Sequence, residues 1–295
     1  MNQLILLRCL DDEASAAALK HDLEIPHQLA AALGRSAVEA AEDGRYLAED
    51  GREVAWKQAV EAAVFAKRSI PPGLDLPASG DVCYPETVIQ VANETTLAAA
   101  RRLVDNGLQP LALNFANGIQ PGGGFLIGAR AQEEVLCRSS ALYQTLIGDP
   151  MYEVHRRLPR PDTATDWAIL SPDVPLFRND NGTTLERPWL LSFITCAAPY
   201  APEIGQSESG DLLQRRIGRV LAIARAYGYA ALVLGAWGCG AFKNDPKRTA
   251  ADFRSALEGE FRGAFCQVVF AITDWSAERR FLGPFREMFA QPQLP

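Results

Sequence analysis

The sequence predicts an α/β sandwich, and three observations carry that expectation. Beyond residue 80, short apolar runs alternate with segments of helical period. Two of the runs, 229–234 and 266–272, are continuously apolar but for Gln267, as suits strands covered on both faces. Ahead of them lies an Ala-rich, helix-prone stretch closed by the loop 70–80, which is broken by Pro71, Pro72, Gly73, Pro77 and Gly80. The expected organisation is an N-terminal, mainly helical accessory region, residues 1–80, packed on an α/β core of residues 81–295.

Residues 13–43 place Leu19, Leu23, Leu29, Leu33 and Val38 at helical spacing, and Pro26 divides them, so two helices are expected. Residues 46–54 set Glu-Asp-Gly between apolar flanks, the pattern of a hairpin. In residues 54–67, Trp56, Val60 and Val64 recur every fourth position and predict a helix. Within the core, 87–92 and 110–115 predict strands, 97–105 a helix ending at Gly107, and 132–147 a second helix. Residues 189–195 form an apolar strand, and 212–227 carry Leu213, Ile217, Val220, Leu221 and Ala224 on one helical face. After the strand at 229–234, a further helix is expected to start near Pro246 or Thr249, and 266–272 is the last strand.

Composition narrows the classes of function. With 48% hydrophobic and 22% charged residues the chain resembles an ordinary globular protein, and no apolar run approaches the ~20 residues that span a bilayer. The stretch from Leu4 to Leu7 is followed by Arg8 and an acidic run without a small-residue cleavage site, so no export signal is evident. Cys9, Cys83, Cys137, Cys196, Cys239 and Cys266 are scattered with no C-x-x-C pair, which predicts thiols in a reducing cytoplasm and neither zinc nor disulfides. The net charge of −7, without a basic stripe, argues against direct DNA binding. A polyanionic ligand would have to be held locally, by backbone amides and a helix terminus.

The segment from Leu111 to Glu134 moves from a strand, through Pro121-Gly122-Gly123-Gly124, into the first turn of a helix. The glycines remove side chains where a ligand approaches and permit positive φ, so that successive N–H groups can face one concavity suited to phosphate. Alone, a Gly triplet after proline is a surface turn; at the C-terminal end of a strand in an open α/β sheet it lies where ligands bind. The turn has neither the Lys of a Walker loop nor G-x-G-x-x-G spacing, which argues against triphosphate and dinucleotide sites. Glu133 and Glu134 follow in the first helical turn, where the macrodipole favours ordinary acidic residues. Adjacent side chains on a helix diverge by ~100°, however, so these two carboxylates can serve different parts of a ligand.

A second strand, loop and helix occurs at Gly235-Ala-Trp-Gly238-Cys-Gly240-Ala-Phe242-Lys-Asn-Asp-Pro246. Gly238 and Gly240 can bring amides to the other side of a diphosphate, and Phe242 offers a flat face to a base. Trp237 is expected in the core.

Pro121 to Gly124, seven further residues and Gln132-Glu133-Glu134 resemble the signature of the poly(ADP-ribose) glycohydrolase family of bacterial (microbial) type. Asn114-Phe-Ala-Asn117 is similar to the Asn-Ala-Ala-Asn turn of macrodomains, and the Gly235 loop to the family's second phosphate loop. Residues 91–97 and 171–178 are also family-like, with no chemical role assigned. The resemblance implies a macrodomain-like three-layer α/β/α sandwich with a mixed central sheet. It also implies hydrolysis of ribose–ribose O-glycosidic bonds to release ADP-ribose. By the family's pattern Glu134 is the general acid and Glu133 holds the hydroxyl of the departing ribose. Asn117 would lie near the distal ribose. Gly122, Gly123, Gly124, Gln132, Gly235, Gly238, Cys239, Gly240, Ala241 and Phe242 would complete the substrate site, with Phe242 at the adenosine end.

The acid would face an oxocarbenium-like state, with water attacking directly under assistance from the substrate phosphate. A bound diphosphate and the charge of Glu133 would raise the pKa of Glu134 against the helix dipole. Two alternatives belong to other classes: a module that binds ADP-ribose without hydrolysis, and an esterase-type macrodomain acting on mono-ADP-ribosyl or O-acetyl-ADP-ribose substrates. His21, His27 and His155 show no metal spacing and are expected as surface or capping residues. Cys137 and Cys239 lack an evident base. No metal or organic cofactor is expected, and the partner is ADP-ribose or its polymer on modified proteins, bound by a monomer.

Overall fold

Alternation of apolar side chains along each strand sends successive residues into different layers, and this divides the interior into two cores on either face of one sheet. The computed structural model describes residues 3–78, 80 and 83–291. The chain opens with β1 (Gln3–Leu6), α1 (Glu13–Leu23) and α2 (His27–Asp43), then the hairpin β2 (Arg45–Leu47) and β3 (Glu53–Ala55), α3 (Lys57–Ala66) and β4 (Arg68–Ile70). Next come β5 (Glu86–Ala92), α4 (Thr96–Asp105), β6 (Pro110–Ala116), α5 (Gln132–Ser139), α6 (Leu142–Leu146) and α7 (Pro150–Arg156). The long pair β7 (Ala168–Arg178) and β8 (Thr184–Ala197) leads to α8 (Ala201–Ile204), α9 (Gln206–Ala226), β9 (Ala231–Leu234), α10 (Pro246–Glu258), β10 (Gln267–Ala271) and α11 (Leu282–Phe289).

The eight-stranded sheet has the order β1-β5-β10-β9-β6-β8-β7-β4. Its neighbours pair in parallel from β1 to β8, and β7 is antiparallel to both β8 and β4, so the sheet is mixed. In β9, Leu232 and Leu234 enter the core under α9, α10 and α11, while Ala231 and Val233 enter the core under α3 to α6. Strand β10 splits the same way, Val268 and Phe270 to one side and Val269 and Ala271 to the other. This is the expected α/β/α sandwich. Because β5, β10, β9 and β6 are neighbours and parallel, the loops that follow them leave from one edge of the sheet, where ligands bind in such folds.

The first eighty residues are interwoven with this sheet, since they contribute its two edge strands, β1 and β4, as well as helices. Asp81, where the core was expected to begin, lies outside the described residues. Helix α2 packs closely on the loop that carries the glycine triplet: a Cβ on Gly34 would come within 2.5 Å of the Phe125 carbonyl oxygen, and one on Gly128 would meet the carbonyl of His27. Arg130 Nη1 donates to the Ile25 carbonyl at 2.7 Å, and Arg178 Nη1 to the Leu33 carbonyl at 2.8 Å. The N-terminal helices therefore brace the site from outside.

Two expectations need correction. The helix foreseen over 132–147 is broken at Ser140, whose backbone is extended and bridges to Leu176 of β7. Its hydroxyl donates to the Leu136 carbonyl at 2.7 Å and accepts from Leu142 N–H at 3.1 Å, a local competition with helix hydrogen bonds that serine favours. His155 is neither a surface nor a capping residue. It is fully buried, with Nδ1 2.9 Å from the Gly118 carbonyl and Nε2 2.7 Å from Thr165 Oγ1, and burial holds its pKa down.

Candidate active site

Strand β6 ends at Ala116, and the chain must turn back to start α5 at Gln132. The side chain of Gln132 fixes that return: its Oε1 accepts from Phe115 N–H at 2.9 Å, and its Nε2 donates to the Leu113 carbonyl at 2.7 Å and Thr96 Oγ1 at 3.1 Å. With the first residue of α5 tied to β6 and α4, the next two are directed into the space above the sheet edge. Residues 133–139 are all buried, although the first two are glutamates.

The carboxylates take hydrogen bonds from different loops. Glu133 Oε2 accepts from Asn117 N–H at 2.7 Å, and Oε1 accepts from Asn114 Nδ2 at 3.3 Å. Glu134 Oε1 accepts from Gly124 N–H at 3.0 Å, while its Oε2 is buried with no partner. Gly122 and Gly123 have φ of +70° and +57°, where a side chain is strained; Gly124, at −97°, does not. A Cβ on Gly123 would strike Glu134 Oε1 and lie 3.1 Å from Glu133 Oε2. The triplet thus wraps the acid pair closely.

Burial pushes the Glu133 carboxyl up to about 8; the charge of Glu134 adds to this, and the Asn117 and Gly122 amides and the Asn114 side chain oppose it. At neutral pH Glu133 is accordingly a neutral acid. Cys137 beneath the pair stays a thiol, raised by burial and by both glutamates.

A cavity of about 570 Å³ opens at the sheet edge. Of the expected site residues it is lined by Asn117, Gln132, Glu133, Glu134, Gly238, Gly240, Ala241 and Phe242. Gly122, Gly123, Gly124, Gly235 and Cys239 are not in its wall. A Cβ on Gly235 would sit 2.6 Å from the Ala271 carbonyl, which makes it a close strand contact. Cys239 is buried 3.6 Å from Thr249 Oγ1, and burial pushes its thiol up to about 12. Asn117 Oδ1 accepts from Ile119 and Gln120 N–H at 2.9 and 3.0 Å, closing its own turn.

The second loop is braced from behind. Asn244 Nδ2 donates to the Pro199 and Gly238 carbonyls at 2.9 and 3.2 Å, and its Oδ1 accepts from Ser209 Oγ. Gly238, at φ +75°, has no room for a Cβ, which would meet Asn244 Nδ2 at 2.7 Å, whereas at Gly240 nothing lies within 4 Å. Phe242 is half-buried and meets Tyr200 edge-on at 5.5 Å between centroids. Trp237 is fully buried, as expected.

Further lining residues went unassigned: Thr95 and Thr96 after β5, Asp180 in the β7–β8 turn, and Asp274, Trp275 and Phe281 after β10. For the first group the signal was present, because residues 91–97 follow a strand at the ligand-binding edge. Among the described residues no three His, Cys, Asp or Glu gather as a metal site requires, and no helix is long and apolar enough to cross a membrane.

Residues 34–179 match the family model for the microbial-type PARG catalytic domain. The poly(ADP-ribose) glycohydrolase (PARG) of Thermomonospora curvata is 42% identical, aligned over 89% of this chain and 100% of its own, with a TM-score of 0.80. Its structure with the inhibitor ADP-HPD gives a TM-score of 0.81 at the same identity and coverage. The Deinococcus radiodurans enzyme in complex with ADP-ribose is 40% identical over 78% of this chain and 96% of its own, with a TM-score of 0.70. Among curated proteins there is no significant match. With this identity over the full length of a solved relative, the chain belongs to the microbial-type poly(ADP-ribose) glycohydrolase family.

Proposed function

We propose that this protein cleaves the ribose–ribose O-glycosidic bonds of poly(ADP-ribose) and releases ADP-ribose, with Glu134 as general acid and Glu133 positioning the ribose. The observation that carries the assignment is the state of Glu134, a residue of the cavity lining: one carboxylate oxygen is tied to the Gly124 amide, and the other is buried without a protein partner. Such a group is oriented and still has an oxygen to give to substrate. Bond cleavage develops positive charge at the anomeric carbon, and protonation of the leaving ribose oxygen lowers the barrier. Glu133, held by Asn117 and raised by burial, can donate a hydrogen bond to a ribose hydroxyl while neutral. The Gly238–Phe242 loop would take the diphosphate with its backbone amides, on the side facing the Gly122–Gly124 loop that holds the acids, with Phe242 toward the base. Water, oriented by the substrate phosphate, would complete the hydrolysis. We place the activity in a cytoplasmic monomer, on the scattered cysteines and the acidic balance of the chain.

Glu134→Gln should keep its fold and its affinity for ADP-ribose in calorimetric titration, and lose about 10²- to 10⁴-fold in turnover on polymer. Undiminished shortening of the polymer by that variant would overturn the assignment. Assays on mono-ADP-ribosylated protein in parallel separate the polymer-cleaving activity from an esterase-type one.

A further inference from the structure

His155, in the last turn of α7, is fully buried, and its ring bridges two segments that are well separated in the chain. Nδ1 lies 2.9 Å from the Gly118 carbonyl oxygen, and Nε2 lies 3.2 Å from the Thr165 backbone nitrogen and 2.7 Å from Thr165 Oγ1. These partners fix the tautomer. A backbone N–H can only donate, so Nε2 is the bare nitrogen; a carbonyl can only accept, so Nδ1 carries the proton. Thr165 Oγ1 accepts from Trp167 N–H at 3.2 Å, and its own proton points at Nε2. The ring is thus neutral, and a second proton, on Nε2, would face the Thr165 amide head-on.

The Gly118 carbonyl belongs to the turn that serves the acid pair. Asn117 N–H donates to Glu133 Oε2 at 2.7 Å, and Asn117 Oδ1 closes the turn on Ile119 and Gln120. Helix α7 holds this turn at two points, through His155 on Gly118 and through Arg156 Nη1, which donates to the Ile119 carbonyl at 2.6 Å. A Cβ on Gly118 would sit 3.3 Å from Nδ1, so ring and turn are in close contact. Charged and titratable groups on the surrounding elements are Arg216 of α9, Asp162 and Asp166 of the segment before β7, Cys196 of β8, and Tyr152, Glu153 and Arg156 of α7. Burial holds the ring below its ordinary pKa, the Gly118 carbonyl opposes this, and the Arg216 charge adds to it.

We propose that His155 is a positioning residue for glycosidic cleavage: as a neutral ring it holds the Asn117–Gly118 turn that gives its amide to Glu133, and a proton on Nε2 drives the ring off the Thr165 amide and displaces that turn. This rests on the assignment of Glu133 as the residue that positions the ribose. Neither His155 nor Thr165 lines the cavity, so the effect passes through the turn. Activity therefore declines on the acid side as His155 takes up its proton, below the ordinary histidine range.

The test is the acid limb of the kcat–pH profile on polymer, read together with nitrogen NMR of the histidine ring, which needs no turnover. In the parent the spectrum at neutral pH shows the proton on Nδ1, and the acid limb follows the ring's titration. Thr165→Val removes a hydroxyl that favours the neutral ring, so limb and ring titration both move to higher pH, by about half a unit. Thr165→Ser keeps the hydroxyl and the parent values. His155→Asn keeps a donor for Gly118 without a titrating ring: its limb moves to lower pH by about one unit or more, with kcat at neutral pH within about 10-fold of the parent. If His155→Asn does not fold, the Thr165 pair carries the test. A limb that stays in place in either His155→Asn or Thr165→Val overturns the inference, and so does a neutral ring protonated on Nε2. Full turnover in Glu133→Ala overturns the role of Glu133 instead.

Discussion

The two glycine loops share a layout of strand, loop and helix, yet they differ in what their glycines face. In the first, Gly123 lies against the carboxylates of Glu133 and Glu134, and the neighbouring amides of Asn117 and Gly124 are spent on holding those acids. In the second, the framework is held from behind by Asn244, and Gly240 faces open space. The glycine that meets the ligand side is therefore packed against the protein's own acids in the first loop, Gly123, and left free for a ligand in the second, Gly240, whose neighbour Gly238 is needed for the loop's own geometry. Similar sequence punctuation serves reagent placement in the first case and access in the second.

The largest effect that sharpens this contrast is expected at Gly123→Ala. The new Cβ would displace the Glu134 carboxylate, a side-chain end and not backbone, so folding should suffer less than chemistry. Turnover should fall by about 100-fold, the scale of an ångström-sized misplacement, while the strained φ costs about 1–2 kcal/mol in stability. Comparison of kcat with the chemical denaturation midpoint checks this, and a stability loss with unchanged kcat would break the contrast.

Next in size is the pH dependence of stability contributed by Glu133. Its carboxyl is raised from an ordinary 4.5 to about 8 in the folded state. The favourable contribution of its protonated form is complete below 4.5 and is lost as pH rises toward 8, at a slope of up to about 1.4 kcal/mol per pH unit. The stability difference between Glu133→Gln and the parent, followed by denaturation from pH 4 to 9, should therefore grow in favour of the variant as pH rises. A difference independent of pH would contradict the buried, neutral state of Glu133.

Gly240→Ala should be the mildest. With nothing within 4 Å of the added methyl, stability should stay within about 0.5 kcal/mol. Affinity for ADP-ribose should nevertheless fall, because the methyl occupies the space proposed for the diphosphate. Calorimetric titration showing unchanged affinity would remove Gly240 from the ligand site.

Periodicity made most of the sandwich legible, because β6, β9 and β10 are covered on both faces and so read as largely apolar runs, interrupted only by Asn114 in β6 and Gln267 at the start of β10. Strand β7 escaped notice: Ser171, Pro172 and Asp173 interrupt its pattern at a register shift against β8. The edge strands β1 and β4 are short, and only pairing with β5 and β7 gives them their place. The acid pair and both loops could be found from local motif spacing. Asp180 and the wall after β10 could not, since they converge on the site only through tertiary packing. His155 was misplaced for a similar reason: its partners, Gly118 and Thr165, lie in loops that local sequence does not bring together.

A crystal structure of this protein with ADP-ribose tests the central claim most directly. The account predicts the diphosphate between the Gly122–Gly124 and Gly238–Phe242 loops, and the distal ribose within hydrogen-bonding reach of Glu133 and of the unpartnered oxygen of Glu134. Ligand density that leaves the anomeric carbon remote from Glu134, or that fills another part of the surface, would contradict it.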